Sequence, residues 1–339
     1  MKRVTVAVLA YNEEANLPDL LGSLAAQTLP QDQFDILIVD NGSSDRTREI
    51  AEQWQSPLNN LRVVVQPVPG IAVSRNCALA EATTALIAFT DADVICPPGW
   101  LQTLVEGFDR HHARDEHVVA VGGGNTPVSG QGAFLTAIGI TLNSFWGSHG
   151  SVQGMIYTDD RDVEHIPTLN ICYDRERVRA AGGFDEDFRM VSEDPELNHR
   201  LTRRHGYKIV FLAGAEVEHK MRPDLKSWWR NVYMYGRGRT QIIKKHPDHL
   251  QWKYMVPPVL LAVLALIPLG LVHPLFWLPA VYWIAPLPIA AYLCLRAGKP
   301  TLTPLAYLIL VGNPVFYGLG MIHGLWFRYE PVSPRCVDP

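Results

Sequence analysis

The stretch "ALIAFTDADVICPPGW", Ala85 to Trp100, decides how this chain is read. It begins as an apolar strand, Ala85 to Phe89, and then sets two carboxylates, Asp91 and Asp93, where a buried strand is expected to end. An uncompensated charge beside a dry sheet is costly, so the pair calls for water, a cationic side chain or a metal. Residues two apart in an extended segment point to one side, so both carboxylates are expected to face one site. Hard oxygen ligands there suit Mg2+ or Mn2+, held by one or two carboxylates plus substrate phosphates; solvated loop residues are the plain alternative.

Upstream, strands and helices alternate. "RVTVAVLA" (Arg3 to Ala10), "FDILIVD" (Phe34 to Asp40) and "LRVVVQ" read as strands, and "GIAVSRNCALAEA" reads as a helix. In "NGSSDRT", Asp45 is expected to cap a helix carrying Arg48 and Trp54. Short links between alternating elements predict an α/β domain with a mostly parallel sheet covered on both faces. Ligands in such sheets gather beyond the carboxyl ends of the strands, where Asn12, Asp40, Asp91 and Asp93 fall. Asp40 can accept hydrogen bonds from a nucleoside's base or ribose, or simply start an Asx-turn. "YNEE" lacks the Gly-x-Gly-x-x-Gly turn of a dinucleotide fold, which counts against hydride transfer.

Downstream, Val118 to Met155 is Gly-rich and less periodic, and is expected to hold a crossover strand followed by mobile or acceptor-facing structure. "SEDPELNHRLTRRHG" reads as a helix with Asp194 as N-cap, Pro195 at the first helical position and Gly206 as its stop. Glu193 and Asp194 form a second acidic pair. Asp194 as a cap and Asp194 as a general base fit equally, since a capping carboxylate can still turn an oxygen into a cleft. His219, in "AEVEHK", is either a packed residue or an imidazole completing a carboxylate-bound metal site.

The remaining third has a different character. Between Tyr254 and Phe327 the only formal charges are Arg296 and Lys299. Apolar runs Val256–Val272, Leu275–Leu295 and Leu302–Phe327 each approach the ~20 residues that cross a bilayer, and their many prolines suggest kinked, short or re-entrant segments. Lys and Arg flank the base of the first hairpin, which places the large domain in the cytoplasm, at the plasma (inner) membrane. The apolar run Val4 to Ala10 is too short for a signal peptide. Five cysteines at 77, 96, 172, 294 and 336 show no Cys-x-x-Cys and fit a reducing compartment. A net charge of -4 argues against a nucleic-acid partner held by bulk positive charge. Just before the apolar region, "SWWRNVYMYGRGRT" (Ser227 to Thr240) reads as an interfacial helix on lipid headgroups, and Arg237 or Arg239 can grip phosphate oxygens.

Taken in order, "AYNEEANL", "VDNGSSDRT", "GIAVSRNCAL", "TDAD", "GGFDE", "SEDPEL" and "EHK" make the chain resemble a membrane-anchored family 2 glycosyltransferase of the GT-A fold over roughly Val4 to Thr240. The resemblance implies nucleotide-sugar binding by Tyr11, Asn12, Glu13 and Asp40, with Arg75 near the diphosphate. It further implies a divalent metal at Asp91 and Asp93, with His219, and a catalytic base at Asp194 beside Glu193. Single-step inverting transfer from a nucleotide-diphosphate sugar follows. Processive synthases of the family carry Gln-x-x-Arg-Trp near the interface; here Trp228-Trp229-Arg230-Asn231 stands instead, which favours transfer of one sugar to a lipid or lipid-linked glycan. The expected organisation is a catalytic domain over 1–225, an amphipathic segment over 226–253, a membrane region over 254–328 and a tail over 329–339. Competing readings are a sugar nucleotidyltransferase, against which the absence of a Gly-rich basic loop after the first strand speaks, and a non-catalytic membrane scaffold.

Overall fold

The computed structural model describes residues 2–130, 132–188 and 191–326, so Phe327, Cys336 and the expected tail lie outside the described residues. They fall into two compact units. The first comprises 2–128 and Ser151–Lys220; the second comprises Ser129–Gly150 and 221–326.

The first unit opens with β1 (Val4–Ala10), α1 (Leu17–Ala25), β2 (Phe34–Asp40), α2 (Thr47–Gln53), β3 (Leu61–Val65), α3 (Ile71–Glu81) and β4 (Leu86–Asp91). It continues through β5 (Val94–Ile95), α4 (Trp100–His112), β6 (Val118–Gly122) and β7 (Asn125–Pro127). The second unit takes α5 (Ala133–Leu142) and α6 (Phe145–Ser148). The first then resumes with β8 (Arg161–Val163), β9 (Ile171–Asp174), α7 (Arg175–Ala180), α8 (Glu193–His199), β10 (Lys208–Phe211) and β11 (Val217–His219).

Its main sheet runs β3-β2-β1-β4-β9-β6-β10-β8, and β9 and β8 are antiparallel to their neighbours. β1, β2 and β4 are β-branched and buried on both faces, as parallel strands under helices must be. One face packs on Leu17, Leu20, Leu24 and Trp100, the other on Phe184, Leu197 and Leu201. By register Ala10 lies opposite Asp40 and Leu9 opposite Asp91, so both carboxylates and the segment after Ala10 emerge at one edge of the sheet. A second sheet, β5-β11-β7, pairs His219 with Val94 and so carries the imidazole beside Asp93.

Three local expectations change. The strand ends at Asp91, and Ala92 and Asp93 form a turn, so the two carboxylates are not alternate residues of one strand. The N-cap of α8 is Ser192, which puts Asp194 and Pro195 inside the first turn. Ser192 sits in the left-handed region at φ 77°, which an N-cap aspartate's extended backbone would not provide. The glycine run Gly122–Gly124 is close-packed rather than loose: a Cβ at Gly122 would meet the Asn170 carbonyl, at Gly123 the Ala215 carbonyl, and at Gly124 the Met155 carbonyl at 2.7 Å.

The second unit adds α9 (Leu225–Lys245), α10 (Trp252–Leu264), α11 (Pro286–Arg296) and α12 (Thr303–Trp326), with tight 3-10 turns at Ile267–Leu271 and Pro274–Trp283. Among the described residues, three helical stretches are long and apolar enough to cross a membrane: Trp252–Leu271, Pro274–Arg296 and Pro300–Trp326. Their sides expose Leu271, Leu275 and Leu278, a surface suited to lipid. Along α9, Trp228 donates to Asn313 at 2.9 Å and Trp229 stacks on Phe316, so these rings, read from sequence as headgroup anchors, turn toward α12.

Candidate active site

At the carboxyl edge of β1 and β2, the chain reverses through Asn12 at φ 56°. The Asn12 carboxamide oxygen accepts from Ser44 N at 2.8 Å, and Asn12 N donates to Ser43 Oγ at 3.0 Å. Asp40, almost wholly buried, accepts Ser43 N at 3.1 Å, which is the turn contact expected for it. Glu13 N donates to Thr47 Oγ1 at 2.6 Å, and Asp45 accepts the Thr47 N–H at 3.0 Å, capping α2 from one residue before its N-cap position. Tyr11 stands 59 % exposed at this rim, its ring open to solvent.

One strand over, Arg75 of α3 reaches between two acids. Its guanidinium is ion-paired with Glu193 and lies 3.8 Å from Asp91 Oδ1, over the Phe184 ring at 5.5 Å. Arg75 and Glu193 are both buried, and Arg75 Nε and Glu193 Oε2 have no hydrogen-bond partner among the described residues. Glu193 therefore holds Arg75 from behind, and Asp91 occupies the front. Burial pushes the Asp91 carboxyl above its ordinary range; Arg75 opposes this, Asp93 adds to it, His219 opposes it and Asp194 adds to it.

Asp93 meets His219 across the small sheet, Oδ2 to Nε2 at 3.3 Å, while the other ring nitrogen contacts Asn125 Nδ2 at 3.3 Å. Lys220 N donates to the Asp93 carbonyl at 2.9 Å, locking the turn to β11. Among the described residues no three His, Cys, Asp or Glu side chains stand close enough to hold a cation unaided. The Asp93 carboxylate and the His219 imidazole, which meet here, are donors that an Mn2+ ion accepts when phosphate oxygens and water complete its shell.

The first turn of α8 carries both Glu193 and Asp194. Asp194 Oδ2 accepts Thr168 N at 3.2 Å and lies 3.9 Å from His165 Nε2. The helix is fastened by Arg200, which pairs with the fully buried Glu196 at 2.7 Å and donates to the Ala181 and Gly183 carbonyls. Asn76 clamps Phe184 through both of its amide atoms. Asn170 receives Trp100 Nε1 and donates to the Gly124 and Ala215 carbonyls, tying the segments around these residues together.

Within the first unit Arg75 joins Asp91 to Glu193, Asp93 meets His219, and Asp194 follows Glu193 in the first turn of α8. Asn12, Glu13 and Asp40 line the neighbouring strand ends. Arg237 and Arg239 belong to the second unit, where the Arg239 guanidinium engages Tyr317 at 3.2 Å and lies over the Tyr254 ring. Asn125, His165 and Thr168 gave no periodic sequence signal of a site, since Asn125 opens the three-residue β7, Thr168 opens a 3-10 turn and His165 lies in a loop, all too short for a periodic pattern. Asn125, directly after the glycine run, had the one available signal: a polar residue following backbone that tolerates no side chain.

Residues 5–139 match the family model described as glycosyl transferase family 2, and residues 86–296 that of glycosyl transferase family group 2. The chain is 26% identical over 240 residues to glycosyltransferase AglE of Haloferax volcanii, covering 70% of this chain and 73% of that protein. It is 26% identical over 251 residues to the probable glycosyltransferase YdaM of Bacillus subtilis, covering 72% and 57%; the match thus spans little more than half of the latter. The fold is that of the mannosyltransferase PcManGT from Pyrobaculum calidifontis, solved in complex with GDP-Man and Mn2+: the TM-score is 0.62 at 20% identity, covering 96% of this chain and 87% of that one.

Proposed function

This chain belongs to glycosyl transferase family 2, and from that premise we propose that it transfers one sugar from a nucleotide-diphosphate donor to a hydroxyl or phosphate of a lipid or lipid-linked glycan, with inversion. The observation that carries this reading is Arg75 set between Asp91 and Glu193, next to Asp194 in the first turn of α8, together with the Asp93–His219 contact. Tyr11, Asn12, Glu13 and Asp40 would receive the nucleoside, and Asp40's buried carboxylate suits the ribose or base edge. Mg2+ or Mn2+, held by Asp91 and Asp93 with His219, would neutralise the departing diphosphate. Arg75 adds a fixed positive charge to that leaving group, and Glu193 keeps it aimed. Asp194 removes the acceptor hydroxyl proton. The apolar stretches of the second unit would anchor the enzyme in the plasma (inner) membrane with its catalytic unit in the cytoplasm, where lipid-borne acceptors are at hand. Arg237 and Arg239, on the segment leading into that anchor, remain candidate phosphate contacts.

The test is a screen of GDP-mannose, UDP-glucose and UDP-N-acetylglucosamine against total lipid extract, with purified protein in detergent and Mn2+, reading released nucleoside diphosphate. Pyrophosphate release from a sugar phosphate and a nucleoside triphosphate would instead make the protein a nucleotidyltransferase. In calorimetric titration with the matching nucleoside diphosphate, Asp93→Ala should weaken Mn2+-dependent binding at least tenfold and leave metal-free binding unchanged; equal affinity would remove the metal role.

A further inference from the structure

We infer that His165 is a positioning residue for Asp194, locked as the Nε2–H tautomer by a buried amide; this rests on Asp194 being the base proposed above. The lock starts at Tyr173, whose hydroxyl donates to Asn198 Oδ1 at 2.7 Å; both residues are fully buried. Asn198 Nδ2 donates to the Ile166 carbonyl at 3.1 Å, and because a carbonyl can only accept, the amide cannot be turned over. The second Nδ2 hydrogen then faces His165 Nδ1 at 2.8 Å. That nitrogen has to accept, so the proton of the neutral ring resides on Nε2, which lies 3.9 Å from Asp194 Oδ2.

Four residues from three segments thus form one directed series, Tyr173 to Asn198 to His165 to Asp194. Its end supplements the contact of Thr168 N with the same carboxylate oxygen. Oδ2 accepts Thr168 N and is the oxygen that faces the imidazole, so Oδ1 is the oxygen left to take the acceptor's proton as the new glycosidic bond forms. His165 keeps its own proton throughout. Catalytic contacts of this kind are often long without substrate and tighten when it binds.

Two measurements on the full chain in detergent test the idea. In 15N spectra of histidine-labelled protein, the signal lost in His165→Gln identifies residue 165; the Nε2–H tautomer is expected, and an Nδ1–H tautomer overturns the proposal whether or not a substrate has been found. In the lipid-extract assay with the donors named above, His165→Ala should lower kcat roughly tenfold to a hundredfold with donor KM unchanged, while His165→Gln, which can still present an N–H, recovers most of it. If Asp194→Asn abolishes turnover but His165→Ala leaves it intact, the positioning role falls and the base stands. If Asp194→Asn turns over normally, the base assignment falls and the positioning role with it.

Discussion

Arg75 and Glu193 bury opposite charges against each other at the edge of the sheet. Sequence reading placed Arg75 near a diphosphate and Glu193 beside the base; the fold makes them partners, and neither is legible as such because 118 positions separate them. Removing one member of a buried pair strands the other, at a cost of roughly 3–5 kcal/mol. Glu193→Ala should therefore lower the thermal midpoint by on the order of 10 °C, and Arg75→Met combined with Glu193→Ala should restore much of the loss. A midpoint unchanged in Glu193→Ala would show the pair to be solvated. Asp115 is a surface counterpart: the Lys208 ammonium at 2.6 Å, then the His117 N–H at 3.0 Å, hold its carboxyl below the ordinary Asp value. A carboxyl depressed on folding stabilises above its unfolded pKa of 3.8, and loses that contribution as pH falls from there toward the folded value. Asp115→Asn should consequently flatten the fall of the urea midpoint below about pH 4; a parallel curve would show that the contact is equally present in the unfolded chain.

At the scale of elements, α9 and α12 touch through residues too small to keep them apart. A Cβ on Gly236 would meet the Tyr317 carbonyl, one on Gly320 the Tyr233 carbonyl, and one on Gly324 the Thr240 side chain at 2.8 Å. Gly236 and Thr240 on one helix face Gly320 and Gly324 on the other, the small-xxx-small spacing by which helices approach closely without a hydrophobic driving force. Thr240 Oγ1 donates to the Met321 carbonyl at 2.9 Å, and Lys244 to the Gly324 and Leu325 carbonyls. Gly320→Leu should prise the pair apart and raise trypsin cleavage at Arg237 and Lys244 in detergent several-fold. Unchanged cleavage would mean that the contact carries little of the unit's stability. The glycines were visible in the sequence, but their facing was not: α9 reads as amphipathic, and amphipathicity alone does not distinguish a lipid headgroup from a neighbouring helix.

For the whole molecule, the departure of Ser129–Gly150 from the first unit is the decisive fact. Leu135, Ile138 and Leu142 pack within the second unit on a cluster that includes Trp228, Val232, Ala290 and Ala306. A chain cut after Lys220 keeps those apolar side chains and loses their cover, so it should aggregate without detergent. Replacing 129–150 with a short Gly-Ser link should return it to solution, as followed by light scattering. A soluble, monodisperse chain ending at Lys220 with 129–150 intact would contradict this.

The sequence alone determined what composition and local pattern can carry. Alternation of β-branched runs with helices dictated a largely parallel sheet, the near-absence of charge between Tyr254 and Phe327 dictated helices suited to lipid, and Asp40 and Asp91 were legible as strand ends. Those signals are local, because hydrophobic periodicity and charge density are written within a few residues of chain. Only the tertiary structure decided that Asp91 faces Arg75, that Asp93 meets His219 from a second sheet, that Asp194 lies inside its helix behind a left-handed Ser192, and that a loop histidine stands next to it. Each of these depends on register and on which loops share a space, and that is settled by packing between segments far apart in the chain rather than by any pattern within one.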